Sequence, residues 1–304
     1  MSLIFIGTVA LDSMESPYGK ADMIPGGSAL YGSLAASYFT DQVKLVAVIG
    51  GDFPKSGLEM IQDHHINIEG LQIKPQEKSF YWSGKYHENM NNRDTLITDL
   101  NVLANFDPII PESYQDCEYL MLGNLTPQIQ IKVIERIHKR PKLIVMDTMN
   151  YWMDSELEAL LKVIQMVDVL TINDEESRQL SGEYSLAKAA KKILTMGPKY
   201  LVIKKGEHGA LLFSKEEVFI APGLPLEEVY DPTGAGDSFA GGFIGYIAKM
   251  QDTSFATLKK AIIHGSAMGS FCVENFGPDS LQNLSQEDIA ARVKEFISLT
   301  TFAV

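Results

Sequence analysis

Short apolar, β-branched runs alternate along this chain with stretches whose apolar positions recur every three or four residues. Leu3–Ile6, Val43–Ile49, Tyr119–Leu122, Leu143–Met146, Val167–Ile172 and Tyr200–Lys204 form the runs and read as strands. Between two of them, Ile129, Val133 and Ile137 fall at helical spacing behind Thr126-Pro127, an N-cap residue and a good first helical residue. Near the end, Ser285 and Asp288 make a capping-box-like start to a helix striped by Ile289, Val293, Phe296 and Ile297. Strands and helices in such alternation predict an α/β fold on a mostly parallel central sheet.

One region breaks the rhythm. From Ile66 to Thr98 the strand-like pieces Leu71–Ile73, Phe80–Tyr86 and Thr95–Thr98 follow one another without helices. They predict a small antiparallel sheet, 66–98, inserted into one domain that spans 1–304. Its aromatics Tyr81, Trp82 and Tyr86 either pack it onto the body or face a ligand. No repeat or low-complexity segment interrupts the chain.

Composition narrows the function. The 304 residues suffice for one large α/β domain. A net charge of −13 offers no basic field for nucleic acid or an anionic membrane, so neither is expected as a partner. No run approaches the roughly 20 apolar residues of a membrane span. Met1 to Leu11 is apolar, but no Lys or Arg precedes it and Asp12 ends it early, unlike a signal peptide. Cys117 and Cys272 stand far apart in apolar surroundings, which fits a reducing cytoplasm.

The candidate chemistry concentrates between Asp231 and Ile244, after an extended segment from Pro222 to Tyr230. Gly234, Ala235 and Gly236 fall at the first turn of a predicted helix, where backbone N–H groups lack intrahelical partners. Small side chains there let an anion reach those amides and the positive end of the helix. Asp237 follows directly. An anion seat beside a potential base suits transfer of a phosphoryl group to a hydroxyl. An ordinary turn with an acidic first-turn residue would use the same residues. Against it, the helix carries Gly241, Gly242 and Gly245, each costing roughly 1 kcal/mol relative to Ala, as expected where a backbone or ligand approaches closely. The stretch is no dinucleotide fingerprint, since Phe239 occupies the third glycine position.

This segment resembles the C-terminal signature of the PfkB family of carbohydrate kinases, a ribokinase-like group that also includes nucleoside kinases. The resemblance implies a ribokinase-like fold, ATP and Mg²⁺, Asp237 as the base, and the amides of Gly234, Ala235 and Gly236 as the anion hole. Pro232 stands where many members have Thr. The inserted sheet corresponds to the family's lid, which in several members forms a homodimer interface. Asp231 and Thr233 align with positions that bind an activating monovalent cation such as K⁺ in some members.

Further positions match in order. Asn173 and Glu176 fit an Asn-x-x-Glu motif whose Glu organises Mg²⁺ through water and whose Asn lies near the phosphates; they equally fit a helix capping pair. Gly206 and Gly209 fit a Gly-x-x-Gly turn under the nucleotide, with Lys204 as a phosphate contact; a plain hairpin would also use them. Ser266 lies in the segment that edges the adenine pocket, where Asn is common. Asp12 matches an acidic residue that binds acceptor hydroxyls, and a carboxylate can accept bonds from two vicinal ones. Gly26-Gly27 fits the family's Gly-Gly motif. Tyr31 stands where many members carry a sugar-binding Asn, which withholds the usual ribose or fructose assignment. Arg93 stands where some sugar-phosphate kinases place a basic contact, and a solvated arginine is the alternative.

The expected function is ATP-dependent phosphorylation of a hydroxymethyl group on a small sugar or sugar derivative. A nucleoside acceptor is the alternative. A catalytically silent sensor would have little use for Asp237. A dehydrogenase would need a GxGxxG after the first strand, where Gly7-Thr8-Val9-Ala10 stands instead.

Overall fold

Strand β1 (Leu3–Ile6) is buried at every position, and its side chains divide between two cores. Leu3 and Phe5 join one, Ile4 and Ile6 the other. A strand covered on both faces can be apolar throughout, which is why these runs show no polar alternation. The computed structural model describes residues 2–301. Met1, the start of the apolar N-terminal run, lies outside them.

The other strands are β2 (Ala10–Ser16), β3 (Gly19–Gly26), β4 (Val43–Gly50), β5 (Asn67–Lys74), β6 (Phe80–Tyr86), β7 (Arg93–Asp99), β8 (Tyr119–Leu122), β9 (Leu143–Asp147), β10 (Val169–Asn173), β11 (Tyr200–Lys204), β12 (Ala210–Phe213) and β13 (Val218–Ala221). The α-helices are α1 (Ser28–Ser37), α2 (Lys55–Asp63), α3 (Pro127–Arg136), α4 (Asn150–Ser155), α5 (Leu157–Met166), α6 (Asp174–Ser181), α7 (Leu186–Ile193), α8 (Ala235–Met250), α9 (Phe255–Cys272), α10 (Asp279–Gln282) and α11 (Gln286–Thr300).

The main sheet runs β13-β12-β11-β10-β9-β8-β1-β4-β5. It is parallel from β11 to β5, and β12 and β13 are antiparallel additions. Helices α1, α8 and α9 cover one face with Leu30, Leu34, Phe243, Ile244, Leu258 and Ile262. Helices α3, α5 and α7 cover the other with Val133, Leu160, Val163 and Ile193. Three glycine-bearing helices pack backbone to backbone. A Cβ on Gly241 of α8 would lie 2.1 Å from the Gly32 carbonyl oxygen of α1, and one on Gly265 of α9 would lie 2.7 Å from Phe239 O of α8. The glycines inside α8 therefore admit neighbouring helices.

A second sheet, β3-β2-β6-β7, stands apart from the first. It corrects the expected 66–98 boundary. Leu71–Ile73 belongs to β5, which pairs parallel with β4 in the main sheet, whereas β2 and β3 supply half of the small one. The inserted sheet is also mixed, since β2 and β6 are parallel. Two smaller expectations change as well. Thr126 precedes α3 but makes no side-chain cap bond. In α11 the Ser285–Asp288 capping box forms and Ile289 and Phe296 are buried, but Ile297 points outward, 54% exposed.

Candidate active site

The turn before α8 is held from below. Buried Asp231 accepts the Thr233 N–H at 2.9 Å through Oδ1 and the Gly277 N–H at 3.2 Å through Oδ2. Gly234 then caps the helix with φ 80° and ψ −5°, left-handed geometry that glycine adopts without strain. A Cβ there would lie 2.5 Å from the Tyr31 ring, so the turn rests directly on that phenol. Ala235 N–H donates to Pro232 O at 3.1 Å and Ser238 N–H to Gly234 O at 2.8 Å. The Gly234, Gly236 and Asp237 N–H groups have no acceptor among the described residues, while the Ala235 amide closes the turn.

The carboxyl ends of three parallel strands face this turn. β9 ends in Asp147, β10 in Asn173 and β11 in Lys204. Lys204 Nζ donates to Asp147 Oδ2 at 2.6 Å, with side chains only 18% and 6% exposed. It also lies 3.2 Å from the position a Gly236 Cβ would take. Asn173 and Glu176 form a full capping box: Asn173 Oδ1 accepts the Glu176 N–H at 2.7 Å, and Glu176 Oε2 accepts the Asn173 N–H at 2.8 Å.

Three carboxylates thus gather around one ammonium, and the proton affinities of Asp237, Glu176 and Lys204 reflect burial and that company. Burial pushes Asp237 up to about 7, Asp147 adds to the rise, and Lys204 and Arg93 oppose it. Burial likewise lifts Glu176 to about 7 against the pull of Lys204. Burial works to strip the Lys204 proton, but Asp147 and Glu176 more than offset it, so its affinity is raised.

Opposite lies Asp12 of β2, 4% exposed. Its Oδ2 accepts the Gly27 N–H at 3.2 Å, and a Cβ on Gly26 would fall 2.0 Å from that oxygen. The Gly-Gly pair is what lets the carboxylate lie against the backbone. Thr8 and Ser28 fix this corner by reciprocal bonds, Thr8 N–H to Ser28 Oγ at 3.1 Å and Ser28 N–H to Thr8 Oγ1 at 2.9 Å. Burial lifts Asp12 to about 7, the Gly27 N–H opposes, and the charges of Asp231 and Asp237 add. Tyr31 is buried in α1, its hydroxyl has no partner among the described residues, and its ring supports the turn from beneath.

The small sheet closes over these groups. Tyr86 of β6 accepts the Thr233 hydroxyl at 3.1 Å, and burial lifts its phenol to about 12. Arg93, across from Tyr86 in register, is exposed and lies 5.8 Å over the Trp82 ring. Asn91 Nδ2 in the β6–β7 loop donates to Glu207 at 3.2 Å, bridging to the turn between β11 and β12. That turn contains Gly206 and Gly209, both at positive φ, and the β11–β12 hairpin forms as the glycines predict. Gly209 packs under β13, where a Cβ would meet Ala221 O at 2.1 Å. Ser266 is half-buried within α9.

Sequence reasoning missed Asp147. Its one signal was position: it directly follows the run Leu143–Met146, as Asn173 follows its own strand. Among the described residues, no group of three or more His, Cys, Asp or Glu converges to hold a metal ion. No described helix is long and apolar enough to cross a membrane.

Residues 14–284 match the pfkB family of carbohydrate kinases. A cytidine kinase of Thermococcus kodakarensis is 31% identical over 255 residues, covering 81% of this chain and 88% of that protein. The nucleoside kinase structure of Methanocaldococcus jannaschii superposes with a TM-score of 0.76 at 21% identity, covering 97% of this chain and 99% of the other. An E. coli structure of the same fold, solved with ATP and Mg²⁺, gives a TM-score of 0.79 at 20% identity over 96% and 99% of the two chains.

Proposed function

The chain belongs to the pfkB family of carbohydrate kinases, and from that premise we propose that its acceptor is a nucleoside, with Asp237 as the base. The protein is an ATP-dependent phosphotransferase that acts on an alcohol group of a sugar or nucleoside. The observation that carries the site assignment is the convergence at Asp237: a turn with three free amides, the Lys204 ammonium and the Asp12 carboxylate gather about one half-buried carboxylate.

In this reading Asp237 takes the proton of the acceptor's hydroxymethyl group. The oxygen attacks the γ-phosphorus in line, and the bond to the ADP oxygen breaks with its electron pair leaving on ADP. The Gly234, Gly236 and Asp237 amides and Lys204 meet the charge on the transferring oxygens. A base lifted to about 7 holds its proton more firmly than an ordinary aspartate, which favours abstraction near neutrality. Asp12 accepts the ribose hydroxyls, and the small sheet excludes water. Asn173, Gly206, Gly209 and Ser266 line the nucleotide side, and Gly26, Gly27, Tyr31 and Arg93 shape the acceptor side. The nucleoside is favoured by the cytidine kinase likeness over most of both chains.

The acidic surplus around Lys204 fits Mg²⁺ delivered with the nucleotide, with Glu176 holding it through water. The ion would neutralise charge on the nucleotide phosphates. For a monovalent cation Asp231 and Thr233 are the candidate ligands: each Asp231 oxygen accepts a single backbone N–H and keeps a lone pair, and Thr233 Oγ1 donates to Tyr86 and keeps its own. No step runs through such an ion. The domain reading becomes one body over the described residues, 2–301, whose lid is residues 10–26 and 80–99. Strand β7 is exposed along its whole length, Leu96 and Ile97 included, which supports a homodimer through the lid. Two buried free cysteines fit a reducing cytoplasm.

A coupled ADP-release assay over nucleosides, sugars and sugar phosphates tests the reading. Cytidine and related nucleosides should give the highest kcat/KM. Preference for a free sugar would overturn the acceptor assignment, and no acceptor-dependent release from the whole panel would leave a binding protein.

A further inference from the structure

Three acids compete for Lys204, and the structure gives the bond to Asp147 rather than to the assigned base. Asp147 holds Nζ at 2.6 Å, whereas neither Asp237 nor Glu176 has an ion pair with it among the described residues. Asp147 is itself fixed on every side. Its Oδ1 accepts the Thr148 N–H at 2.8 Å, and its carbonyl accepts Gln130 Nε2 at 3.2 Å, which also binds Gly123 O at 2.9 Å. The pair spans the end of β10, joining strands on either side of it.

We propose that Asp147 is a positioning residue for phosphoryl transfer: it holds the Lys204 ammonium below the Gly236 turn and keeps it from pairing with Asp237. The inference rests on the assignment of Asp237 as the base. Without Asp147, the buried ammonium has Asp237 and Glu176 as its remaining partners. A base in direct contact with an ammonium binds its proton less tightly and offers fewer free lone pairs to the acceptor hydroxyl. The groups whose charges reach Asp237 are Asp147 from β9, Lys204 from β11, Arg93 from β7 and Asp12 from β2, with the Cys272 thiol of α9 close by. Among the described residues of this set only Asp147 and Lys204 are ion-paired to each other, and removing the carboxylate or the ammonium changes the charge around the base in opposite senses.

The test is the pH dependence of kcat/KM for the acceptor at saturating Mg·ATP, in Asp147→Asn, Lys204→Met and the double variant. Asp147→Asn should move the acid limb down by about one pH unit and lower the plateau, as the ammonium turns to Asp237. Lys204→Met should move the limb up. The double variant should return it to within about half a unit of wild type. An unmoved limb in Asp147→Asn, or a double variant no nearer wild type than either single one, overturns the proposal. If Asp147→Asn does not fold, Lys204→Met still decides: a limb that fails to rise overturns it. Failure of the base assignment looks different, because Asp237→Asn would then keep both turnover and the acid limb.

Discussion

Asp12 shows what one residue contributes and how it was read. It stands in β2 with its carboxylate against the Gly27 N–H, at a corner that only a Gly-Gly pair can form. Replacing it with Ala should raise the acceptor KM by the equivalent of roughly 1.5–3 kcal/mol, the range for hydrogen bonds to a charged group. The ATP KM should hardly change, because Lys204 and Glu176 lie at the other side of Asp237. Steady-state kinetics with each substrate varied in turn checks this, and a loss confined to ATP would reverse the two ends of the site. Asp12 was legible because it follows the first strand at a recognisable distance. Asp147 was not. Its significance comes from Lys204, 57 positions later, and no local spacing announces that β9 and β11 flank β10.

At the scale of elements, α8 carries both the site and its support. Its N-cap and first turn present three free amides, and its later glycines let α1 and α9 close on it. Gly241→Ala sets two effects against each other. Better helix propensity would add about 1 kcal/mol of stability, but the methyl would meet the Gly32 carbonyl at 2.1 Å. Overpacking of a backbone contact should win, with a net loss of about 1–3 kcal/mol in urea unfolding. A variant as stable as wild type would show that α1 yields easily. The parallel strands were legible because they are apolar throughout. The lid was read less well: β2 (ALDSMES) and β3 (GKADMIPG) mix polar and apolar positions, and β5 (NIEGLQIK) resembles them although it lies in the main sheet. Strands β3 and β5 are partly exposed and carry weak periodicity, β2 is buried with polar residues among its apolar ones, and only pairing distinguishes their sheets.

Across the whole molecule, the lid is tied to the body at the places that build the site. Tyr86 bonds Thr233, Ser16 bonds the Tyr230 carbonyl at 2.8 Å, and Asn91 bonds Glu207. The acceptor side is thereby bracketed between the lid and the turn before α8, while the nucleotide side opens along the ends of β10 and β11. A net charge of −13 leaves anion binding to local groups, the three amides and Lys204, with Mg²⁺ to offset the rest. The central claim is that Asp237 removes the acceptor's proton, and one measurement addresses it most directly. Acceptor-dependent ADP release by purified Asp237→Asn, with its fold confirmed by circular dichroism, should fall at least about a hundredfold in kcat while the ATP Kd stays within about twofold of wild type. A folded variant turning over near the wild-type rate would contradict the account.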